Sequence, residues 1–249
     1  NARIIDPASG SSKPVAPRTM VILFAAILIG GAIPMIFFWL QKTLDTKVRT
    51  RKELDGVLTI PFLGNIPRHG SKKGEDSDGI VVRENGRDSV SEAFRIIRTN
   101  MDFMRVKSDK LQVVMFTSAN PGAGKTFVSS NLAMSIAQTN KKVVLVDVDI
   151  RKGTLSGIFS NSSNRMGLTH YLSGSTDKVD DIVGTSEEYE KLDVIFSGPV
   201  PPNPAELLLS ERFDRLITEL RKRYDYIIVD NVPAGIVADA SIVNRVVDL

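Results

Sequence analysis

One segment of the sequence has the residue types and spacing of a phosphate-binding loop. Residues 119–126 read ANPGAGKT and fit the pattern [AG]-x-x-x-x-G-K-[ST] between a strand-like and a helix-like segment. Gly122 and Gly124 allow the backbone to point its N–H groups at phosphate oxygens near a helix N-terminus. Lys125 would reach the β- and γ-phosphates, and the Thr126 hydroxyl would bind Mg²⁺. The segment therefore predicts binding of a nucleoside triphosphate.

Acidic residues follow two apolar segments further along the chain. The segment 143–149 reads VVLVDVD and ends in Asp147 and Asp149, and YIIVD at 226–230 ends in Asp230. Alternation along a strand places Asp147 and Asp149 on one face, at the strand end where parallel α/β sheets bind ligands. Two acids there can hold metal-bound water or accept a hydroxyl proton, although aspartates are also common where loops begin. Four apolar residues followed by Asp230 form a Walker B pattern, whose Asp lies near Mg²⁺.

Alternating strand-like and helix-like segments must position these residues. Near-continuous apolar runs indicate buried strands, and helical spacing of apolar residues indicates helices between them. The strand segments are 111–118, 143–149, 192–198 and 224–230, and the helix segments are 126–138 and 213–223. We therefore predict an α/β fold, a P-loop NTPase-type mostly parallel sheet with helices on both faces.

A further helix is predicted before the first strand. Apolar residues recur at helical spacing on one face, and Ser89 with Glu92 forms a capping-box pair at the start. The apolar face comprises Val90, Ala93, Phe94, Ile97, Met101 and Met104. Considered alone, the Glu92, Arg95 and Arg98 side chains form a solvated face with ion pairs at i, i+3 spacing.

Residues 20–40 form an uninterrupted apolar run in which Trp39 carries the single polar side-chain group. As a helix, this run would be about 32 Å long, which matches a hydrocarbon core of about 30 Å. Its two glycines and its proline would weaken a helix in water but are tolerated in membrane spans. Five basic residues at 42–52, against three before the run, favour a cytoplasmic C-terminal side. We predict one transmembrane helix, with a Pro-rich periplasmic stub at 1–19.

The composition excludes several kinds of site. With 249 residues, 42% of them hydrophobic and 24% charged, the chain is ordinary globular material in one or two domains. It has no cysteine, which excludes disulfides, thiolate–metal sites and thiol catalysis, and two histidines are too few for a His-rich metal site. A formal net charge of +3 is too small to indicate nucleic acid. Because the chain begins with Asn, we expect an internal piece of a longer protein.

Taken together, these motifs resemble the bacterial tyrosine kinases (BY-kinases) of the Wzc type, which are membrane polysaccharide co-polymerases. The resemblance covers nearly the whole chain and keeps the family's order. The matching segments are the Pro-rich approach, the membrane span, IPFLGNIP, SEAFRIIRTN, ANPGAGKT, VVLVDVDIRKG, SGPVPPNPAELL, and IIVDNVPAG followed by Asp239 and Ala240. SEAFRIIRTN resembles the family's E-x-x-R-x-x-R motif through Glu92, Arg95 and Arg98. The resemblance implies that this helix helps assemble a ring, in which one subunit's tyrosine-rich tail enters its neighbour's active site.

The resemblance also implies a role for each matching residue. Lys125 and Thr126 are assigned to ATP and Mg²⁺, and Asp147 to activating the incoming tyrosine. The implied catalytic residues are Lys125, Asp147, Asp149 and Asp230. The residues implied to bind ATP are Ala119, Asn120, Pro121, Gly122, Ala123, Gly124, Lys125, Thr126 and Phe127. The implied Mg²⁺ ligands are Thr126, Asp149 and Asp230.

The expectation is therefore a membrane-anchored protein-tyrosine autokinase of the bacterial inner membrane. It would transfer the γ-phosphate of ATP to tyrosines of neighbouring subunits and regulate the synthesis, chain length and export of capsular polysaccharide or exopolysaccharide. The expected partners are other copies of the chain in a ring, the membrane, the polysaccharide machinery and a protein-tyrosine phosphatase. Residues 41–88 would be a juxtamembrane segment and linker, and residues 89–249 a kinase domain that stops before the family's last strands and tyrosine-rich tail.

Two other functions stay open from the residues alone. A chain-length regulator could bind or hydrolyse ATP without phosphorylating protein, because a phosphate loop with acids indicates nucleotide more firmly than tyrosine. A partitioning ATPase of the MinD/ParA kind shares this sheet order, but Asn120 and Pro121 stand where its signature lysine would be followed by glycine. The motif at Asp230 also departs from the BY-kinase pattern D-[TS]-P-P, because Asn231 and Val232 follow the acid.

Overall fold

The computed structural model describes residues 17–45, 48, 51–54, 60–68, 79–107, 111–159, 166–185, 191–235 and 239–249. The chain divides into two compact units, Asn1–Pro61 and Phe62–Leu249, and the second contains the phosphate-binding loop. Most of the predicted stub, and residues 46–47, 49–50, 55–59 and 69–78 of the predicted linker, lie outside the described residues, and the predicted domain boundaries stay predictions.

The first unit contains helix α1 (Thr19–Leu44) and the short helix α2 (Arg51–Leu54). α1 includes the whole predicted span, continues through Pro34 without a break, and buries none of its residues. An α-helix satisfies its own backbone hydrogen bonds, so an apolar helix of this kind is stable in lipid. With 26 residues and a mean hydropathy of 2.6, α1 is a candidate membrane span by length and composition.

The second unit is built on a five-stranded sheet. Its strands are β1 (Val113–Phe116), β2 (Val143–Asp147), β3 (Val183–Thr185), β4 (Leu192–Ile195) and β5 (Tyr226–Asp230). They lie in the order β1-β5-β2-β4-β3, with β3 antiparallel to β4 and all other pairs parallel. The mostly parallel sheet predicted from the sequence is confirmed. The edge strand β3 was not predicted, because its three residues are too few to show an alternating pattern.

Helices cover both faces of this sheet, as predicted. The helices are α3 (Ser89–Lys107), α4 (Lys125–Ala137), α5 (Leu168–Leu172), α6 (Pro204–Leu209), α7 (Glu211–Arg223) and α8 (Asp239–Val243). α3 and α4 pack in the core on one face, and α5 to α8 contribute to the core on the other. Along β2, Val143 and Leu145 enter the first core, whereas Val144 and Val146 enter the second. A strand buried on both faces needs apolar residues throughout, which explains the near-continuous runs.

The start of α3 differs from the prediction. The Asp88 carboxylate, rather than the Ser89 hydroxyl, accepts the backbone N–H groups of Val90 (3.0 Å) and Ser91 (2.9 Å). It also accepts the Ser91 hydroxyl at 2.7 Å, and this bond is the main reason why the pKa of Asp88 is lowered. The predicted Ser89–Glu92 capping box is wrong because Ser89 is already the first helical residue, which leaves Asp88 in the capping position. The predicted apolar face of α3 is confirmed, since its residues belong to the core.

A buried asparagine fastens the stretch before α3 to helix α4. Asn131 Oδ1 accepts the N–H groups of Val81 (2.7 Å) and Val82 (3.1 Å). Its Nδ2 group donates to the carbonyl oxygens of Gly79 (2.7 Å) and Phe127 (2.8 Å). All four hydrogen-bonding positions of the amide are used, so its burial carries no unpaired polar atom.

Candidate nucleotide-binding and catalytic site

The segment between β1 and α4 forms an open turn whose shape depends on two glycines. Gly122 and Gly124 have φ angles of +71° and +92°, a region that residues with a Cβ rarely adopt. Apart from the neighbours of each glycine in the chain, no atom of the described residues lies within 4 Å of the position that a Cβ would occupy on either residue. Gly124 is the N-cap of α4, so the unpaired N–H groups of its first turn are directed toward the turn. This is the backbone arrangement that binds phosphate oxygens.

The first turn of α4 is joined to the end of β5 by a hydrogen bond between two predicted site residues. The Thr126 hydroxyl donates to Asp230 Oδ2 at 2.7 Å. Asp230 is fully buried, and its other oxygen, Oδ1, has no hydrogen-bond partner among the described residues. Burial raises the pKa of Asp230, while the Thr126 hydroxyl and the Lys125 charge act in the opposite direction. The site thus holds a buried carboxylate oxygen that is available to a ligand.

The second buried carboxylate, that of Asp147, lies at the end of the neighbouring strand. Asp147 is paired in register with Asp230 across β2 and β5. Its oxygens accept two backbone N–H groups, from Asp149 at 3.1 Å and from Leu155 at 3.2 Å. Burial raises the pKa of Asp147 to about 7, and repulsion from Asp230 and Asp149 adds to this effect. A carboxyl group with a pKa of about 7 can give and take a proton at neutral pH.

A tight turn follows Asp149 and returns the chain to the site. The Asp149 carbonyl accepts the N–H groups of Lys152 (3.2 Å) and Gly153 (2.9 Å). Gly153 has a φ angle of +63°, and a Cβ there would lie 2.6 Å from the Ser197 hydroxyl oxygen. The turn brings the Thr154 hydroxyl within 3.2 Å of the Thr126 hydroxyl. Two segments distant in sequence therefore meet at Thr126.

A cavity of about 600 Å³ opens next to these groups. Its walls are formed by Pro121, Gly122, Gly124, Lys125, Thr126, Phe127, Asp149, Arg151, Lys152, Thr154, Ile158, Val232 and Pro233. The phosphate-binding loop forms one side, and basic side chains from the turn after β2 form another. Such a cavity fits an anionic ligand with an apolar portion.

The structure brings most of the predicted site residues together. Seven of them line the cavity, and the buried carboxylates of Asp147 and Asp230 accept hydrogen bonds from the lining residues Asp149 and Thr126. Ala119, Asn120 and Ala123 belong to the loop but are not among the lining residues. The lining residues that the sequence did not predict are Arg151, Lys152, Thr154, Ile158, Val232 and Pro233. The basic and hydroxyl residues of the RKGT segment at 151–154, shortly after Asp149, could have indicated Arg151, Lys152 and Thr154.

The unusual residues after Asp230 are accommodated by bonds to the end of β1. Asn231 is fully buried, and its side-chain oxygen accepts the Val232 N–H at 2.8 Å. The Thr117 hydroxyl donates to the Val232 carbonyl at 2.9 Å, and the Ala234 N–H donates to the Ser118 carbonyl at 2.8 Å. The departure from D-[TS]-P-P therefore leaves this loop firmly attached beside the site.

The three polar residues of the predicted oligomerisation motif have different surroundings on α3. Glu92 and Arg95 form an exposed ion pair of 3.0 Å, and Arg95 also donates to the Gly86 carbonyl at 2.8 Å. Arg98 instead donates to the Ser135 carbonyl and, at 3.2 Å, to the Ser135 hydroxyl on α4. Burial lowers the pKa of Arg98. Glu92 and Arg95 therefore lie at the surface, whereas Arg98 holds α3 against α4.

Known proteins share both the sequence and the fold. The profile of the AAA domain family matches residues 111–244. The chain is 36% identical, over 99% of its length, to a candidate tyrosine-protein kinase in the cps region of Klebsiella pneumoniae. It is 34% identical, over 98% of its length, to the tyrosine-protein kinase Etk of Escherichia coli strain K12. Both matches cover 35% of the relative, so the chain spans about a third of the length of these curated proteins.

A solved structure extends the likeness to the arrangement of the elements. The kinase domain of Escherichia coli tyrosine kinase Etk matches this chain with a TM-score of 0.71 and 35% sequence identity. The match covers 81% of this chain and 80% of that domain. A P-loop fold with this site geometry is a nucleotide-binding fold. The chain therefore belongs to the family of bacterial tyrosine-protein kinases (BY-kinases).

Proposed function

We propose that this protein is an ATP-dependent tyrosine kinase that phosphorylates copies of itself. One observation carries the proposal: a phosphate-binding loop and a buried carboxyl group with a pKa of about 7 lie at the same edge of the sheet. A protein that only binds nucleotide needs no proton acceptor next to it. Transfer of a phosphoryl group to tyrosine does need a proton acceptor, because the tyrosine hydroxyl has a pKa of about 10 and is protonated at neutral pH.

The residues present fit a magnesium ion, which ATP would bring. Asp230 Oδ1 is buried without a partner among the described residues, and the Thr126 hydroxyl and the Asp149 carboxylate lie beside the same cavity. Hard oxygen groups of this kind suit Mg²⁺, with phosphate oxygens completing its coordination. We assign Thr126, Asp149 and Asp230 to holding it. When bound, Mg²⁺ neutralises negative charge on the phosphates.

Each remaining site residue has a chemical task in this proposal. The N–H groups of the loop and the Lys125 ammonium bind the phosphates and stabilise the charge that develops on the transferred group. Asp147 accepts the hydroxyl proton of the acceptor tyrosine, while the tyrosine oxygen forms a bond to the γ-phosphorus. The bond between that phosphorus and the oxygen bridging it to the β-phosphate breaks, and ADP leaves. The backbone N–H groups of Asp149 and Leu155 keep the Asp147 carboxylate in place throughout.

We assign the acceptor tyrosine to a neighbouring copy of the chain. The exposed Glu92–Arg95 pair on α3 offers charged groups of both signs to a neighbour, which suits an interface between identical subunits. The two tyrosines around β5 are poor acceptors. Tyr224 donates to Asp193 at 2.7 Å and Tyr226 donates to Asp102 at 2.7 Å, and burial raises the pKa of both.

The cellular setting follows from α1 and from the relatives. We infer that α1 anchors the chain in the bacterial inner membrane, with the kinase unit in the cytoplasm where ATP is found. One relative is named for the cps region, which supports a role in capsular polysaccharide or exopolysaccharide synthesis, chain length and export. The expected partners are the polysaccharide machinery and a protein-tyrosine phosphatase that reverses the modification.

The proposal is tested by phosphoamino acid analysis. The purified chain in detergent is incubated with Mg²⁺, ATP labelled at the γ-phosphate, and a tyrosine-containing peptide as an added acceptor. We expect labelled phosphotyrosine in amounts that match the ADP released. Release of ADP and free phosphate without phosphotyrosine would contradict the proposed kinase activity and would indicate a regulator that hydrolyses ATP.

A further inference from the structure

We propose that Thr154 is a further nucleotide-binding residue, whose hydroxyl group contacts the oxygens of the bound magnesium–triphosphate group. This inference rests on the proposed function and extends it to a residue outside the phosphate-binding loop and the acidic motifs. Thr154 lies in the turn after β2, and its side chain lines the same cavity as Lys125 and Thr126.

The hydrogen bonds around Thr126 determine what the Thr154 hydroxyl does without a ligand. Thr126 gives its single hydroxyl proton to Asp230 Oδ2 at 2.7 Å. In the 3.2 Å contact between the two threonines, Thr154 must therefore be the donor. Thr154 thus donates to an oxygen that is a proposed metal ligand. Among the described residues, it has no other hydrogen-bonding partner for this hydroxyl.

Binding of a cation by Thr126 would change this contact. A hydroxyl oxygen that coordinates a cation has less electron density to offer a hydrogen-bond donor. The exposed Thr154 hydroxyl would then donate more favourably to an anionic phosphate oxygen or to metal-bound water. Both acceptors belong to the same magnesium–triphosphate group, and a test with and without the γ-phosphate shows whether the contact is at the γ-phosphate.

The backbone on both sides of Thr154 is held in place by hydrogen bonds, so its side chain is already positioned at the cavity. On one side, the Gly153 N–H donates to the Asp149 carbonyl at 2.9 Å. On the other side, the N–H of the fully buried Leu155 donates to Asp147 Oδ2 at 3.2 Å. A preorganised hydroxyl binds its ligand with little loss of conformational entropy.

The test compares two substitutions at Thr154 with one nearby. Thr154→Val keeps the shape of the side chain and removes the hydroxyl, whereas Thr154→Ser retains it. Ser156→Ala is the matched control, because the Ser156 hydroxyl bonds to the Gly153 carbonyl at 3.0 Å in the same turn but does not line the cavity. The full chain in detergent is titrated with a non-hydrolysable ATP analogue and with ADP, each with Mg²⁺ and with EDTA.

We expect Thr154→Val to weaken binding of the ATP analogue about three- to tenfold in Mg²⁺, with Thr154→Ser and Ser156→Ala close to wild type. Loss with the analogue alone places the contact at the γ-phosphate, and equal loss with ADP places it at the metal or the β-phosphate. Wild-type affinity in Thr154→Val, or an equal loss in Ser156→Ala, would overturn the assignment of Thr154. Failure of wild type to bind nucleotide at all would instead overturn the proposed function.

A second readout does not depend on affinity. Arg151 and Lys152 are exposed in the turn, and trypsin cleaves after such residues. If Thr154 contacts the nucleotide, the ATP analogue with Mg²⁺ should slow cleavage of the turn in wild type. At saturating analogue, protection should be reduced in Thr154→Val. Equal protection in both proteins would contradict the proposal.

Discussion

Asp147 and Asp230 lie opposite each other at the carboxyl ends of the adjacent parallel strands β2 and β5. Both carboxyl groups are fully buried, and burial is the main reason that their pKa values are raised. Their partners differ: Asp147 accepts backbone N–H groups, whereas Asp230 accepts the Thr126 hydroxyl. Because of these partners, we assign Asp147 to the acceptor proton and Asp230 to the metal side of the reaction.

Replacement of Lys125 by Met should reduce the affinity for the ATP analogue at least about tenfold. The variant keeps the length of the side chain but loses the charge that faces the phosphates, and a hydrogen bond to a charged group contributes about 1.5–3 kcal/mol. Isothermal titration calorimetry measures this change. Lys142→Met is the control, since Lys142 precedes β2 at the opposite end of that strand and should bind as wild type. An unchanged affinity in Lys125→Met would remove the basis of the phosphate-loop assignment.

Replacement of Asp147 by Asn should separate nucleotide binding from catalysis. Asn keeps the size of the side chain and one acceptor oxygen but cannot take up the tyrosine proton. General acid–base groups typically contribute 10²- to 10⁴-fold, so phosphotyrosine formation should fall by about that factor. Affinity for the ATP analogue should stay within about threefold of wild type, since Asp147 does not line the cavity. A variant that phosphorylates tyrosine at the wild-type rate would exclude Asp147 as the proton acceptor.

The raised pKa of Asp147 should also make stability depend on pH. The folded carboxyl group holds its proton up to about pH 7, whereas the unfolded group releases it near the ordinary value of 3.8. Between about pH 4 and pH 7 the folded state therefore binds more protons than the unfolded state, and the free energy of unfolding falls as pH rises. Above pH 7 this contribution is constant.

Asp147→Asn lacks this titration and provides the comparison. Urea unfolding of both proteins in Mg²⁺-free buffer, followed by circular dichroism from pH 4 to pH 8, gives the two profiles. Relative to wild type, the variant should become progressively more stable as pH rises toward 7. Parallel profiles would show that Asp147 titrates alike in the folded and unfolded states.

The two arginines of α3 should have separable effects. Arg98→Ala removes the bonds to Ser135 and leaves its carbonyl without this partner, so the melting temperature should fall. Arg95→Glu reverses a half-buried charge beside the exposed Glu92 and should lower self-association, with a parallel fall in the rate of autophosphorylation. Differential scanning calorimetry and sedimentation velocity distinguish the two outcomes. Autophosphorylation at the wild-type rate by an Arg95→Glu monomer at every dilution would exclude transfer between subunits.

The orientation of α1 can be tested with paired reporters. A fluorescent protein that matures in the cytoplasm should be fluorescent when it is fused after Leu249. Alkaline phosphatase, which is active only in the periplasm, should be inactive at the same position. The basis is the excess of basic residues after the apolar run, which favours a cytoplasmic C-terminal side. The same reporters fused before Asn1 should give the reverse pattern. Phosphatase activity after Leu249 would reverse the orientation and place the site where ATP is absent.

Local patterns in the sequence predicted four of the five strands and the helices α1, α3, α4 and α7. Apolar runs identified strands that are buried on both faces, and helical spacing identified the face of α3 that enters the core. The glycine pattern between β1 and α4 predicted a turn that binds phosphate, and its two glycines have positive φ angles. The length of the apolar run predicted α1 as a span. Each of these features depends on residues within a single helix, strand or turn.

Only the tertiary structure decided which of these elements meet and how their polar groups are paired. Thr126 and Asp230 are 104 residues apart and bond because β5 lies between β1 and β2 in the sheet. Thr154 reaches the same point through a turn that no periodic pattern describes, and Arg98 is directed to α4 instead of to solvent. The pKa of Asp147 depends on its complete burial and on neighbours from another strand. These properties arise from long-range packing. The spacing of apolar residues within one helix or strand contains no information about contacts between distant segments.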